Sequence, residues 1–161
     1  MKHSLHIRPI ADSDFEFIGT LASSVNGYSV PSPYVLWMFQ RCHRGWSAIA
    51  ISDENLLGYL LAFPVNRQAV FVWQLACTKQ GNRLRAADGL AKYLRRMMAK
   101  GGYHEILFTS VPDSASERAV RLIALRVFKV CICKQSRLPR SVSRSEWEYV
   151  LKLPTETMGE A

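Results

Sequence analysis

The sequence predicts an α/β fold: one mixed β-sheet covered by helices. Three observations carry this expectation. Short β-prone runs alternate with segments of helical apolar spacing. One run, AVFVWQLAC at 69–77, is apolar on both faces, as a strand covered on both sides must be. The longest amphipathic helical stripe follows that run directly, which is the order of a strand, a loop and a crossover helix.

The chain has 161 residues, of which 48% are hydrophobic and 21% charged. At this length folding hides roughly 70% of the unfolded surface, and the composition supplies the apolar matter to do so. A wholly disordered chain is excluded. The expected organisation is one domain over residues 1–153 and a tail over 154–161. The longest nearly unbroken apolar stretch, residues 59–65, falls far short of the ~20 residues of a membrane helix. The opening MKHSLHIRPI lacks the apolar core of a signal peptide. A cytoplasmic protein with no membrane partner is therefore expected.

Taken in order, residues 5–10 alternate as a strand. Ser13 and Glu16 then form a capping box before Phe17, Ile18 and Leu21. Ser32 and Pro33 suit the start of a second helix, whose buried stripe is expected to be Tyr34, Trp37, Met38 and Cys42. Residues 46–51 and 56–63 read as a hairpin around Ser52-Asp53-Glu54-Asn55. After the central run 69–77 comes a basic loop. Ala87, Leu90, Ala91, Leu94, Met97 and Met98 then mark a helix that Gly101 and Gly102 stop. Residues 105–110 form a short strand. Ser114 and Glu117 cap a helix expected to be buried through Ala119, Leu122, Ile123 and Val127. Residues 128–134 and 146–153 are strands joined by the basic loop QSRLPRSVSRS.

The four cysteines, Cys42, Cys77, Cys131 and Cys133, show no zinc spacing and read as buried free thiols. His3, His6 and His43 form no metal spacing with any carboxylate, so no metal is expected. His104 and Glu105, at a strand start, are titratable but read first as surface groups. The net charge of +8 favours an anionic partner. One place suits such a partner. A strand that runs through a loop into a helix N-terminus offers unpaired N–H groups and the positive end of the helix dipole. Arg83 and Arg85 stand beside that terminus.

The segment around this loop, with Ala87 and Gly89 at its two small positions, resembles the cofactor motif of the GNAT superfamily of N-acetyltransferases. The later pattern Ser116, Ala119, Leu122, Ile123, Val127 and Phe128 aligns with that superfamily's second motif without gaps. PSPYVLWMF, FVWQLA, GLAKYL and EYVLKLP are most similar to the diaminobutyrate acetyltransferases within it, and together cover most of residues 34–153.

The resemblance implies a central sheet of six or seven strands flanked by about four helices. The strands at 69–77 and 105–110 part to admit the pantetheine arm of acetyl-CoA, the co-substrate. The main chain of Leu75, Ala76 and Cys77 would hold the pantetheine and the acetyl group. Amides from Arg85 through Ala86, Ala87, Asp88 and Gly89 to Leu90 would take the pyrophosphate, with Arg83 and Lys79 near the adenosine phosphates. Ser116 occupies the place of the family's asparagine. Trp73 and Gln74 would stand at the reaction centre, where Gln74 can orient a substrate or water but cannot act as a base. Tyr34 would wall the acceptor pocket, and Ser29 stands where the diaminobutyrate enzymes carry an acidic residue.

The chain departs from the family in three further ways. Ala87 replaces a glycine, Asp88 brings a carboxylate near the phosphates, and Ile123 replaces the tyrosine that protonates the departing thiolate. The expected activity is acetyl transfer to a primary amine of a small metabolite, with a homodimer left open. Two other readings stand beside it. One is a CoA-binding module that has lost turnover; the other is nucleic-acid binding through RCHR, NRLR, YLRR and SRLPRSVSRS. Gly89→Glu is expected to weaken CoA binding and leave the fold intact.

Overall fold

The computed structural model describes residues 4–25, 27–53, 55–79, 83–143 and 145–154. Among them are seven strands and four α-helices. In chain order they are β1 (Leu5–Pro9), α1 (Phe15–Ser23), α2 (Pro33–Cys42), β2 (Ala48–Ser52), β3 (Asn55–Pro64), β4 (Ala69–Cys77), α3 (Arg83–Gly101), β5 (Glu105–Ser110), α4 (Ala115–Ile123), β6 (Ile132–Arg137) and β7 (Trp147–Lys152). The sheet order is β1-β2-β3-β4-β5-β7-β6. The β4/β5 pair is parallel and the other five pairs are antiparallel. The parallel pair sits where α3 crosses from one strand to the next, the connection that a parallel arrangement requires.

Each face of the sheet has its own core. On one side α3 buries Ala86, Leu90, Ala91, Tyr93, Leu94 and Met98 against β2, β3 and β4, joined by Ala124, Val127 and Phe128 after α4. On the other, α1 and α2 bury Ile18, Leu21, Ala22, Leu36 and Phe39 over Tyr59, Leu61 and Ala76. Among the described residues no helix is long and apolar enough to cross a membrane.

Several local expectations are corrected. The Ser13/Glu16 box does not form. Asp12–Asp14 is a 3-10 turn in which the buried Asp14 carboxylate accepts the Ala11 N–H (2.8 Å) and a bidentate pair from Arg8 (2.6 and 2.8 Å). A charge-assisted fork of that kind outcompetes a hydroxyl cap. On α2 the expected buried stripe is the exposed one: Tyr34, Trp37, Met38 and Cys42 face outward, and Leu36 with Phe39 faces the sheet. On α4, Ala119 and Leu122 are exposed, and the inward face carries Glu117, Val120 and Ile123. The chain after α4 winds one π-helical turn, Ala124–Phe128, so β6 starts at Ile132 rather than at 128. The cysteines are free, but Cys42, Cys131 and Cys133 are exposed. The 154–161 tail lies outside the described residues except for Pro154.

Candidate functional site

The site begins with one extra residue in β4. Leu61 pairs with Gln74 and Ala62 with Val72, so Trp73 has no partner on β3 and forms a β-bulge. A bulge bends its strand and interrupts pairing. The parallel ladder to β5 stops at this point: it runs from Ala69↔Glu105 to Val72↔Phe108 and no further. Thr109 and Ser110 of β5 pair only with β7. Beyond Val72, β4 and β5 therefore part, as expected from the resemblance.

The pairing parity shows which main-chain groups face the gap. Thr78 N–H donates to the Leu57 carbonyl (2.8 Å), so residues 57 and 78 are a hydrogen-bonded pair. Antiparallel pairs alternate between bonded and non-bonded. The register Gly58↔Cys77, Tyr59↔Ala76, Leu60↔Leu75 then turns the N–H and C=O of Leu75 and Cys77 away from β3 and into the gap. Ala76, by the same parity, spends its main chain on β3, so it does not line the gap as expected.

Under the gap, on the α3 side, lies an apolar cavity of about 60 Å³ bounded by Val72 and Leu75 of β4, Phe108 of β5, Leu94 of α3, and Val120 and Ile123 of α4. A larger hollow of about 460 Å³, lined by Arg41, Arg44 and Asp12, lies on the α2 side of the sheet near its β1 edge, beside Pro9 and Ser47. Volume alone does not mark the site; the parted strands do.

The helix that follows the gap begins earlier than expected. It starts at Arg83, so the N–H groups of Ala87, Asp88, Gly89 and Leu90 point to carbonyls four residues back. They are spent within the helix, and an anion would meet the first turn, which starts at Arg83. Ala86 and Leu90 bury their side chains in the core. Gly89 faces β1: a Cβ there would stand 2.9 Å from Leu5 Cδ2 and 3.1 Å from Ile7 Cδ1. Its lack of a side chain serves helix–sheet packing. Asp88 is drawn aside by Arg126, with Oδ2 2.5 Å from Nη2, beyond the end of α4. Cys77 packs on the α3 side, where burial raises its thiol to about 11, partly offset by Arg83. It is a protonated packing residue at neutral pH.

On the α1/α2 side, Trp73 stacks on Phe39 with ring centroids 5.5 Å apart and 2° between planes. α2 thus reaches Trp73 through Phe39, not Tyr34, which stands on the outer face against Trp37 (5.9 Å). Gln74 is buried with both ends of its amide engaged. It accepts from Tyr59 Oη (2.9 Å) and its Nε2 donates to the Ser29 carbonyl (2.7 Å). It holds the α1–α2 loop and is not available to orient a substrate. Ser29 contributes that carbonyl and is otherwise exposed. Ser116 is exposed on the first turn of α4, after the Ser114 cap.

Sequence reasoning missed Tyr28. Its hydroxyl donates to the Leu75 carbonyl (2.7 Å), one of the gap-facing groups. Burial raises its pKa, and the charge of Arg83 acts the other way. The contact spans 47 residues of sequence, and no local pattern announces it.

No protein-family model and no curated protein sequence matches the chain. Solved structures do. The diaminobutyrate acetyltransferase EctA of Paenibacillus lautus, solved with L-2,4-diaminobutyric acid and coenzyme A, superposes with a TM-score of 0.78 at 19% identity, covering 94% of this chain and 96% of that one. Ard1 from Thermoplasma volcanium gives 0.76 at 12% identity, covering 93% and 98%. A GNAT family acetyltransferase from Elizabethkingia anophelis with acetyl-CoA bound gives 0.62 at 10% identity, covering 92% and 98%. The fold of this chain is that of the GNAT acetyltransferases.

Proposed function

We propose that the protein transfers the acetyl group of acetyl-CoA to a primary amine of a small metabolite, with a diamino acid such as 2,4-diaminobutyrate among the acceptors. The observation that carries this reading is the parting of β4 from β5 at the Trp73 bulge, with the main chain of Leu75 and Cys77 turned into the gap. The N–H groups of Leu75 and Cys77, the Cys77 carbonyl and the Leu75 carbonyl, which accepts from Tyr28 with one of its two lone pairs, lie on one strand edge and suit a pantetheine arm, because its amides need acceptors and donors at strand spacing. A gap-facing N–H also suits the oxygen of the acetyl group as charge develops on it. The first turn of α3 and the cationic Arg83 and Lys79 suit the pyrophosphate and adenosine phosphates. The similarity to structures solved with coenzyme A and with acetyl-CoA supports the same co-substrate.

The acceptor would enter from the side of Trp73 and Phe39, across the α1–α2 loop that Gln74 pins. Position 29 carries a serine and not a carboxylate, and the reading extends to primary amines generally. The test has two stages. Calorimetry with acetyl-CoA measures binding, and thiol release is then followed over a panel of amines that includes 2,4-diaminobutyrate. Micromolar binding with thiol release for at least one amine is expected. The apolar Ile123 favours a second reading, a CoA-binding module without turnover, for which binding would occur with no thiol released by any amine.

A further inference from the structure

We propose that Tyr28 is the general acid of the transfer, giving its hydroxyl proton to the sulfur as the thioester carbon–sulfur bond breaks. The assignment rests on the acetyltransferase reading above. Its basis is the position of the hydroxyl. Tyr28 Oη lies 2.7 Å from the carbonyl of Leu75, and Leu75 is one of the two residues whose main chain lines the gap between β4 and β5. In a thioester arm laid along that edge, the sulfur is two carbons from the nearest amide nitrogen. A donor at the Leu75 carbonyl therefore stands on the strand edge along which that arm would run.

The loop is held there on purpose-built contacts. Its consecutive residues Tyr28 and Ser29 bond consecutive residues of the strand, Leu75 and Gln74. The alternatives are poor. Ile123 has no proton to give, and Gln74 is engaged at both ends of its amide. The Cys77 thiol packs with the core on the α3 side. The titratable groups close enough to act electrostatically on the phenol are Cys77 of β4, Tyr59 of β3 and Arg83 of α3; Arg83 is the charged one. Burial keeps the phenol protonated at neutral pH, the state an acid needs.

The step balances as follows. The amine lone pair forms the carbon–nitrogen bond, and the carbon–sulfur pair leaves on sulfur. Sulfur takes the Tyr28 proton, and the proton shed by the new amide returns to the phenolate through solvent. Amine and thioester become amide and thiol.

The test is Tyr28→Phe, assayed with acetyl-CoA and an amine that the wild-type protein acetylates. We expect kcat to fall about 100-fold or more, in the range of a lost general acid, while the Kd for acetyl-CoA changes less than about threefold. The wild-type kcat should decline at high pH as the phenol ionises, and that limb should vanish in the variant. Adding Ile123→Tyr to Tyr28→Phe should recover at least about tenfold in kcat, since Ile123 lines the same cavity as Leu75. A kcat within threefold of wild type, or a loss lying wholly in acetyl-CoA binding, would overturn the assignment. If Tyr28→Phe melts early, the wild-type profile decides: no decline at high pH also overturns it. Wild-type protein that binds acetyl-CoA yet releases no thiol with any amine overturns the transferase reading, and this assignment with it. Turnover in the wild type with an undiminished variant overturns the Tyr28 role alone.

Discussion

Asp88 and Gly89 are neighbours on α3, yet substitutions there should act through different physics. Asp88 lies five residues past the helix start, about 7.5 Å along the axis, which is within a Debye length of ~8–10 Å at moderate salt. Its charge is partly compensated by Arg126, a pair that is itself half-exposed. Asp88→Asn removes a residual repulsion of any anion at the first turn. We expect CoA to bind a few-fold more tightly at low salt, with the gain fading by 0.5 M salt; calorimetry at both ionic strengths checks it. Gly89 acts on the fold instead. A side chain there meets Leu5 and Ile7 of β1 at 2.9–3.1 Å, and a carboxylate would be pushed against an apolar seam. Gly89→Glu should therefore destabilise the protein, by about 1–3 kcal/mol on the scale of overpacked interiors. The fold is thus not left intact, contrary to what the sequence alone suggests for this substitution. Denaturant unfolding measures it, and an unchanged midpoint would show that the helix shifts freely on β1.

At the scale of elements, the bulge in β4 is the feature on which the gap depends. Val70 and Val72 face α3, Trp73 and Gln74 both face α1 and α2, and Leu75 and Cys77 face α3 again. Deleting Trp73 would leave every other side chain on its present face while making the strand regular. The deletion should let β4 continue its ladder along β5 and close the gap. Acetyl-CoA affinity should fall at least about tenfold in a protein that still melts cooperatively, whereas Trp73→Ala, which keeps the bulge, should retain binding. A second element-scale prediction concerns α4. Burial tends to raise the Glu117 carboxyl, but the bond from Arg121 (2.8 Å), the Asp113 N–H (2.7 Å) and the Arg121 charge outweigh it and hold the pKa below the usual carboxylate range. A depressed folded pKa contributes stability that is present above the unfolded value of about 4.3 and lost as pH falls through the lower folded value. Glu117→Gln should flatten the acid limb of unfolding below about pH 4 and leave the slope near pH 7 unchanged.

For the molecule as a whole, what was legible in the sequence followed periodicity. The AVFVWQLAC strand, the α3 stripe and the alternation of strands with helices were read directly, because a face buried against one partner repeats at fixed spacing. α2 misled because it has apolar side chains on two faces, and spacing alone does not say which of Leu36/Phe39 or Tyr34/Trp37/Met38 meets the sheet. The bulge was hidden because β4 is apolar on both sides, so one inserted residue breaks no pattern. Tyr28 was hidden because its role comes from a contact 47 residues away. The charge of +8 also left more than one kind of anion open, a phosphorylated co-substrate and nucleic acid among them besides a membrane surface. The co-substrate and nucleic acid separate in a melting experiment. A ligand that binds only the folded state, present at 100 times its Kd, stabilises by about 2.7 kcal/mol. For a chain of this size that corresponds to a rise of about 5–10 °C. Acetyl-CoA should produce such a shift at physiological salt and keep much of it at 0.5 M, because the pantetheine arm binds through main-chain bonds and apolar contacts. Single-stranded RNA should give a smaller shift that collapses with salt, as counterion release dictates. No shift with acetyl-CoA alongside a salt-sensitive shift with RNA would reverse the reading, making the basic surface the working one and the gap between β4 and β5 an inherited shape.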